Sequence, residues 1–496
     1  IRSQYFGKSP LLLEAVGSKL DQEGILYQKP YIESSPAYMT EEQGITKSAV
    51  LPGWMKEYFQ KLTEAHLGVY PSPFRHQISA LEAAQQGEDL LVSTGTGSGK
   101  TECFIWPLLA KLAAEAKFSP ESWSMRGIRT IIMYPMNALV SDQISRLRRL
   151  IGDPEHRFVQ IFHDVCGESA QRPQFGMYTG RTPYPGAQPD KKQDRKLADT
   201  YSRMLNEKDE AYRERLLHDG KLPAKENVSA FIEKLKSGIH TPEPGDAELV
   251  TRFEMQQYCP DILITNYSML EYMLMRRVED SFWNTTKRWL DADTSHRLLF
   301  IIDEAHMYRG SAGGEVSYLI RRLLYRLGIS RDRVQFILTT ASMPNSSEED
   351  HRAVLTFARE LTAAEEGHSF CWITGEKKRQ GQNAAGKIDF STFKKVSPSQ
   401  FEGTEEERLK ALNLFWEEMV ERPFPDIQKA EQWMYEHLAD YQPFQKLLKE
   451  CQGEARSLPE LAQSIFPGQE QEDALQAVSV LLAVAPFARS RDGSVL

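Results

Sequence analysis

Thr94-Gly95-Thr96-Gly97-Ser98-Gly99-Lys100-Thr101 decides how this chain is read. It follows the apolar run Asp89–Ser93 and opens a helical run, Thr101–Ala116. Glycines let consecutive backbone N–H groups turn toward one anion, and the helix N-terminus adds partial positive charge. Thr96, Gly97, Ser98 and Gly99 therefore form a phosphate cradle. Lys100 is expected to reach the β/γ-phosphates of a nucleotide such as ATP, and the Thr101 hydroxyl to ligate Mg2+. Thr94 stands where the six-spaced loop pattern asks for glycine.

Outward from the loop, strand-like runs lie at Asp89–Ser93, Ile128–Tyr134, Phe158–Phe162, Asp261–Thr265, Leu298–Ile302 and Val334–Thr339. Several are continuously apolar, as strands buried on both faces of a parallel sheet should be. Helical runs separate them, among them Ala138–Ile151 and Val316–Leu327. The pattern predicts a doubly wound α/β domain carrying the phosphate loop over 71–345, a parallel sheet with helices on both faces. Residues 181–250 carry equal numbers of acidic and basic side chains and few large apolar ones, which predicts a charged helical insertion. Residues 1–70 read as a mostly helical extension in which Trp54, Tyr58, Phe59 and Leu62 form a packed face. Residues 346–400 read as a connecting segment and 401–496 as a helical accessory region. There Glu405–Val420, with an apolar stripe of Leu409, Leu412, Phe415, Trp416 and Met419, and Asp426–Glu450 are the first two helices.

Leu298–Ile302 delivers Asp303-Glu304-Ala305-His306 at its carboxyl end, where ligands gather in open α/β sheets. Asp303 is expected to hold the Mg2+ shell. Glu304 is expected to polarise the attacking water, and His306 to couple the nucleotide to the next motif.

These residues resemble the first RecA-like domain of superfamily 2 helicases of the Asp-Glu-x-His type. Phe74-Arg75-His76-Gln77 looks like the adenine-reading segment, with Gln77 on the base edge. Tyr134-Pro135-Met136-Asn137 through Gln143 looks like motif Ia, Tyr178-Thr179-Gly180 like motif Ib, and Asp261 through Leu270 like the next strand-contacting motif. The resemblance places Pro135, Asn137, Thr179, Gly180, Thr265 and Asn266 on nucleic acid. Thr339-Thr340-Ala341-Ser342 looks like motif III, which gives Thr340 and Ser342 a coupling role. The run after Asp303, through Tyr308-Arg309-Gly310 and an Arg-rich helix, is similar to the Lhr- and MrfA-type DNA helicases and to large helicases of antiphage systems such as DISARM and Druantia.

The net charge of −9 excludes a basic footprint over the whole chain, so nucleic acid must meet local patches. Arg146, Arg148 and Arg149 are the preferred patch. Arg321, Arg322, Arg326, Arg331 and Arg333 read equally as phosphate contacts or as a solvated face paired with Asp332 and nearby acids. Five cysteines without ligand spacing argue against a disulfide framework or a zinc site, and fit a cytoplasmic protein. Ala477–Ala485 is too short for the ~18–20 apolar residues of a membrane span. The expected function is the amino-terminal portion of an ATP- and Mg2+-dependent DNA helicase or translocase, moving 3′ to 5′. Its expected partners are DNA, single-stranded or duplex with a tail, and other defence or repair proteins. An RNA helicase and a nucleotide-dependent scaffold are the alternatives. No Gly-Arg-x-x-Arg stretch follows residue 345, so the second motor lobe is expected beyond Leu496, and this portion alone is expected to be inactive.

Overall fold

The computed structural model describes residues 31–33, 38–95, 97–184, 191–206, 209–341, 343, 347–376, 390–401, 404–415, 426–439, 441–451 and 455–489. They form two units: 38–376, and the described residues on either side of it.

The larger unit is built on eight strands: β1 (Asp89–Ser93), β2 (Thr130–Tyr134), β3 (Phe175–Tyr178), β4 (Glu248–Leu249), β5 (Ile262–Asn266), β6 (Leu298–Ile302), β7 (Val334–Thr340) and β8 (Phe370–Thr374). Their order is β4-β3-β5-β2-β6-β7-β1-β8, and every neighbouring pair is parallel. Side chains alternate across the sheet, so each strand feeds two cores. Leu90, Val92, Ile132, Ile264 and Ile301 enter one; Leu91, Ile131, Met133, Leu263 and Phe300 enter the other. Both faces are covered, which is why these strands read as unbroken apolar runs. The expected RecA-like α/β architecture is what the sheet shows.

Three expectations change. Residues 158–162 are not a strand but part of α5 (Arg157–Cys166), which comes after α1 (Gly53–Glu64), α2 (Arg75–Gln85), α3 (Glu102–Phe118) and α4 (Asn137–Leu150). Phe158, Ile161, Phe162 and Val165 are all buried, a helical spacing that a five-residue window cannot tell from a strand. Next, the helix Glu348–Leu361 and strand β8 extend the sheet into the segment expected to be a connector, and the unit runs to Glu376. It also begins at Tyr38 rather than near 71. The apolar face of α1 explains this: Tyr58, Phe59 and Leu62 are fully buried and Phe59 packs 6.1 Å from the Trp106 ring of α3.

The insertion contains helices Lys191–Leu205, Glu210–His218 and Val228–Lys236, with a small core of Ala198, Tyr201, Phe231, Ile232 and Leu235. Buried Lys225 ties it down through Asp246 (3.0 Å) and Glu254 (2.5 Å).

In the smaller unit, Tyr31–Ile32 pairs antiparallel with Arg456–Ser457. Residues 426–450 are two helices, Ile427–Leu438 and Gln442–Glu450, because Pro443 lacks the N–H that a continuous helix needs there. Leu409 and Leu412 of the expected stripe face the core; Trp416 and Met419 lie outside the described residues.

Candidate nucleotide site

The loop from β1 to α3 is shaped by Gly97 (φ 76°) and Gly99 (φ 68°), both left-handed. A Cβ on Gly99 would collide with the Gln77 amide, whereas one on Gly97 would meet open space. That space is a cavity of about 990 Å³ lined by Gly97, Ser98, Gly99, Lys100, Thr101, Gln77 and Glu304 among others. Thr96 lies outside the described residues.

Polar groups around the loop hold it open. Thr94 Oγ1 and Ser98 Oγ are 2.5 Å apart, and His76 Nε2 lies 2.8 Å from the Ser98 carbonyl. The Gly95 N–H donates to the Tyr38 hydroxyl at 2.8 Å. Lys100 Nζ donates to the Thr94 (3.1 Å) and Gly95 (3.3 Å) carbonyls, a resting position that phosphate oxygens can replace. Gln77 spends both polar ends within the protein. Its Oε1 accepts the Phe74 N–H at 2.9 Å, and its Nε2 donates to the Gly99 carbonyl at 3.1 Å. It thus positions the loop as well as lining the cavity.

Asp303 and Glu304 leave β6 in different directions because Glu304 takes a left-handed backbone (φ 52°). Asp303 is buried; it accepts from the Glu304 N–H at 3.1 Å and from the Thr339 hydroxyl. Burial raises its pKa, and the Lys100 charge opposes that rise only weakly. Among the described residues no cation pairs with it directly. A buried, cation-poor carboxylate beside a phosphate cradle suits Mg2+, with Thr101 as the second protein ligand. No cluster of three metal-binding side chains exists among the described residues, so water and phosphate would fill the remaining positions.

Glu304 faces the cavity, and its Oε2 lies 3.3 Å from His306 Nδ1. The same ring nitrogen is 3.4 Å from the Ala341 N–H at the end of β7. His306 therefore touches both the expected base and the motif III segment. Within that segment the expectation shifts by one residue: Thr340 is buried with an unpartnered hydroxyl, and Thr339 is the one that bonds Asp303. Successive strand residues point to opposite faces of the sheet, so only one of the two shares the face on which Asp303 is met. Ser342 lies outside the described residues.

The expected nucleic-acid residues divide. Strands β2, β5 and β3 are neighbours, so Asn137, Asn266 and Gly180 sit along one edge, with Asn266 Nδ2 donating to Asn137 Oδ1 at 2.6 Å. Thr265 and Thr179 do not offer free hydroxyls. Thr265 is buried and donates to the Tyr178 carbonyl at 2.8 Å; Thr179 is buried and accepts the Arg181 N–H at 3.1 Å. Pro135 lines the nucleotide cavity, as does Arg146, which pairs with Glu102 at 3.0 Å. Arg148 is taken up by Glu248 (2.6 Å), leaving Arg149 exposed on α4. On α6 (Ser311–Leu327) and beyond it, Arg322, Arg326 and Arg331 pair with Glu271, Asp280 and Asp89, not with Asp332. Arg333 caps the carbonyls of Leu290, Asp293 and His296. Arg331 and Arg333 are thus held within the fold, whereas Arg322 and Arg326 make partly exposed pairs.

Sequence reasoning missed Tyr38, Glu102 and Thr339 as site residues. Glu102 directly follows Thr101, which places it at the loop; Tyr38 has no local signal, since the chain brings it back from 57 residues away.

Residues 74–185 and 224–350 match the family model described as DEAD/DEAH box helicase. The unmatched stretch between them falls within the helical insertion. The whole chain aligns with Druantia protein DruE of Escherichia coli (strain UMEA 4076-1) at 35% identity, spanning 28% of that protein's length. It is 32% identical to the uncharacterized ATP-dependent helicase YprA of Bacillus subtilis (strain 168) over 16% of this chain and 9% of YprA. Among solved structures, the DUF1998 helicase MrfA bound to DNA aligns with 74% of this chain and 34% of its own, at 18% identity and a TM-score of 0.36. No helix of the described residues is long and apolar enough to cross a membrane.

Proposed function

From a chain whose residues 74–185 and 224–350 carry a DEAD/DEAH box helicase domain, we propose the ATP-binding lobe of an ATP-dependent DNA helicase or translocase that works in the cytoplasm, in antiphage defence or DNA repair. The observation that carries this reading is the convergence of Lys100, Thr101 and Glu304 on one cavity, with buried Asp303 directly before Glu304 at the carboxyl end of β6. Lys100 leaves its loop carbonyls to hold the β/γ-phosphates. Thr101 and Asp303 hold Mg2+, which when bound neutralises charge on the phosphates. Glu304 takes a proton from the attacking water, and His306 and Thr339 carry the change to the end of β7. Arginines that complete the transition state come from a second lobe, so the 496 residues alone turn over little ATP.

DNA is preferred to RNA on the Tyr308-Arg309-Gly310 resemblance, and a defence role on the similarity to a Druantia protein. The full-length protein is expected to hydrolyse ATP faster with single-stranded DNA than with single-stranded RNA, with 3′-to-5′ movement. Greater stimulation by RNA would sink the DNA assignment. Lys100→Ala is expected to abolish ATP binding. Glu304→Gln should bind ATP normally and lose about 10²–10⁴ in turnover, and wild-type turnover in that variant would remove Glu304 from the role of base.

A further inference from the structure

Glu102 and Arg146 line the nucleotide cavity, and the chemistry above uses neither. Glu102 is the first residue of α3, next to Thr101, and it is buried. Its Oε1 pairs with Arg146 Nη2 at 3.0 Å. Its Oε2 lies 3.1 Å from the point a Cβ on Gly99 would occupy, a point the Gln77 amide also crowds. The carboxylate therefore lies beside the phosphate loop and close to Gln77, in the cavity that Phe74 and Lys100 also line. A nucleoside triphosphate with its phosphates at Lys100 and its base toward Phe74 and Gln77 carries its sugar across this carboxylate. The Arg146 guanidinium beside it fixes the carboxylate as an acceptor on the cavity wall. An ionised carboxylate has lone pairs enough to accept from two adjacent hydroxyls at once.

We propose that Glu102 reads the ribose hydroxyls of the nucleotide, with Arg146 as the positioning residue that holds its carboxylate in place. The assignment rests on the ATP reading of the cavity. It moves Arg146 from the nucleic-acid surface to the nucleotide, and it makes the sugar, not only the base and phosphates, a determinant of substrate choice. A purely structural Glu102–Arg146 tie between α3 and α4 would affect stability without distinguishing one sugar from another.

The test uses the full-length protein with saturating single-stranded DNA, comparing ATP with 2′-deoxyATP and 3′-deoxyATP. The wild type is expected to show a KM about tenfold or more lower for ATP than for either deoxynucleotide, as loss of a hydrogen bond to a charged group implies. Glu102→Gln and Arg146→Ala are expected to raise the KM for ATP to that of the deoxynucleotides, while kcat at saturation stays near the wild-type value. Arg146→Lys should recover part of the preference. Equal KM values in the wild type, or an undiminished preference in Glu102→Gln, would overturn the proposal while leaving the ATP reading intact. Failure of the wild type to bind any nucleotide would instead overturn the ATP reading, and this inference with it. Should Glu102→Gln not fold, displacement of labelled ATP from the wild type by the two deoxynucleotides decides the same question.

Discussion

At the scale of single residues, the site depends on which hydroxyl or carboxylate faces which neighbour. Thr339 and Thr340 are adjacent and both buried, yet only Thr339 reaches Asp303. Thr339→Val is expected to lower DNA-stimulated ATP turnover about tenfold, as loss of a hydrogen bond to a charged group implies, while Thr340→Val stays near wild type. Steady-state ATPase rates of the two variants check this, and equal effects would remove Thr339 from the link. Lys100, Asp303 and Glu304 were legible in the sequence because each sits at fixed spacing from a strand end. Glu102 was legible only as a neighbour of the loop, and Tyr38 not at all, because a long-range contact leaves no local spacing to read. Arg146 and Arg148 show the converse. Their placement on the helix after motif Ia was readable, but the acids that occupy them, Glu102 and Glu248, are remote in sequence.

At the scale of elements, continuous apolar runs located β1, β2, β5, β6 and β7 to within two residues. Strands β3, β4 and β8 were harder to read: β3 has four residues, the edge strand β4 has two, and β8 at the other edge is only partly buried. The run at 158–162 went to the wrong element because five apolar-rich residues fit a strand and an amphipathic helix alike. Helix α1 raises a separate issue, since sequence alone assigned it to an extension outside the motor. Its Phe59 is fully buried against the larger unit's main core. Phe59→Ala is therefore expected to destabilise the motor unit by about 3–5 kcal/mol. Chemical denaturation read through a nucleotide-binding signal should register that loss; a protein that bound nucleotide with undiminished stability would return α1 to the periphery.

At the scale of the whole molecule, charge is local rather than global. Arg148 is held by Glu248, the Gly220 carbonyl and the Lys221 carbonyl, and so fastens the insertion to α4. Arg148→Ala is expected to cost about 3 kcal/mol of stability, as breaking a buried pair does, with little change in the salt dependence of DNA binding. Exposed Arg149 should behave oppositely: Arg149→Ala leaves stability near wild type and lowers the log–log salt slope by about one. Fluorescence anisotropy across a salt series, with thermal denaturation alongside, separates the two, and a loss of slope in Arg148→Ala would reverse the assignment. The sheet order has a further consequence for how the molecule is made. Strand β1 carries the phosphate loop, yet it lies between β7 and β8, and Leu90 takes its partners from Ile337 and Cys371. Contacts of such long sequence separation form late and slowly. A ribosome must therefore synthesise more than two hundred further residues before the loop's strand has any neighbour in the sheet. During that interval the apolar strand can pack only on neighbouring helices such as α2, and its unpaired edges stay open to other chains.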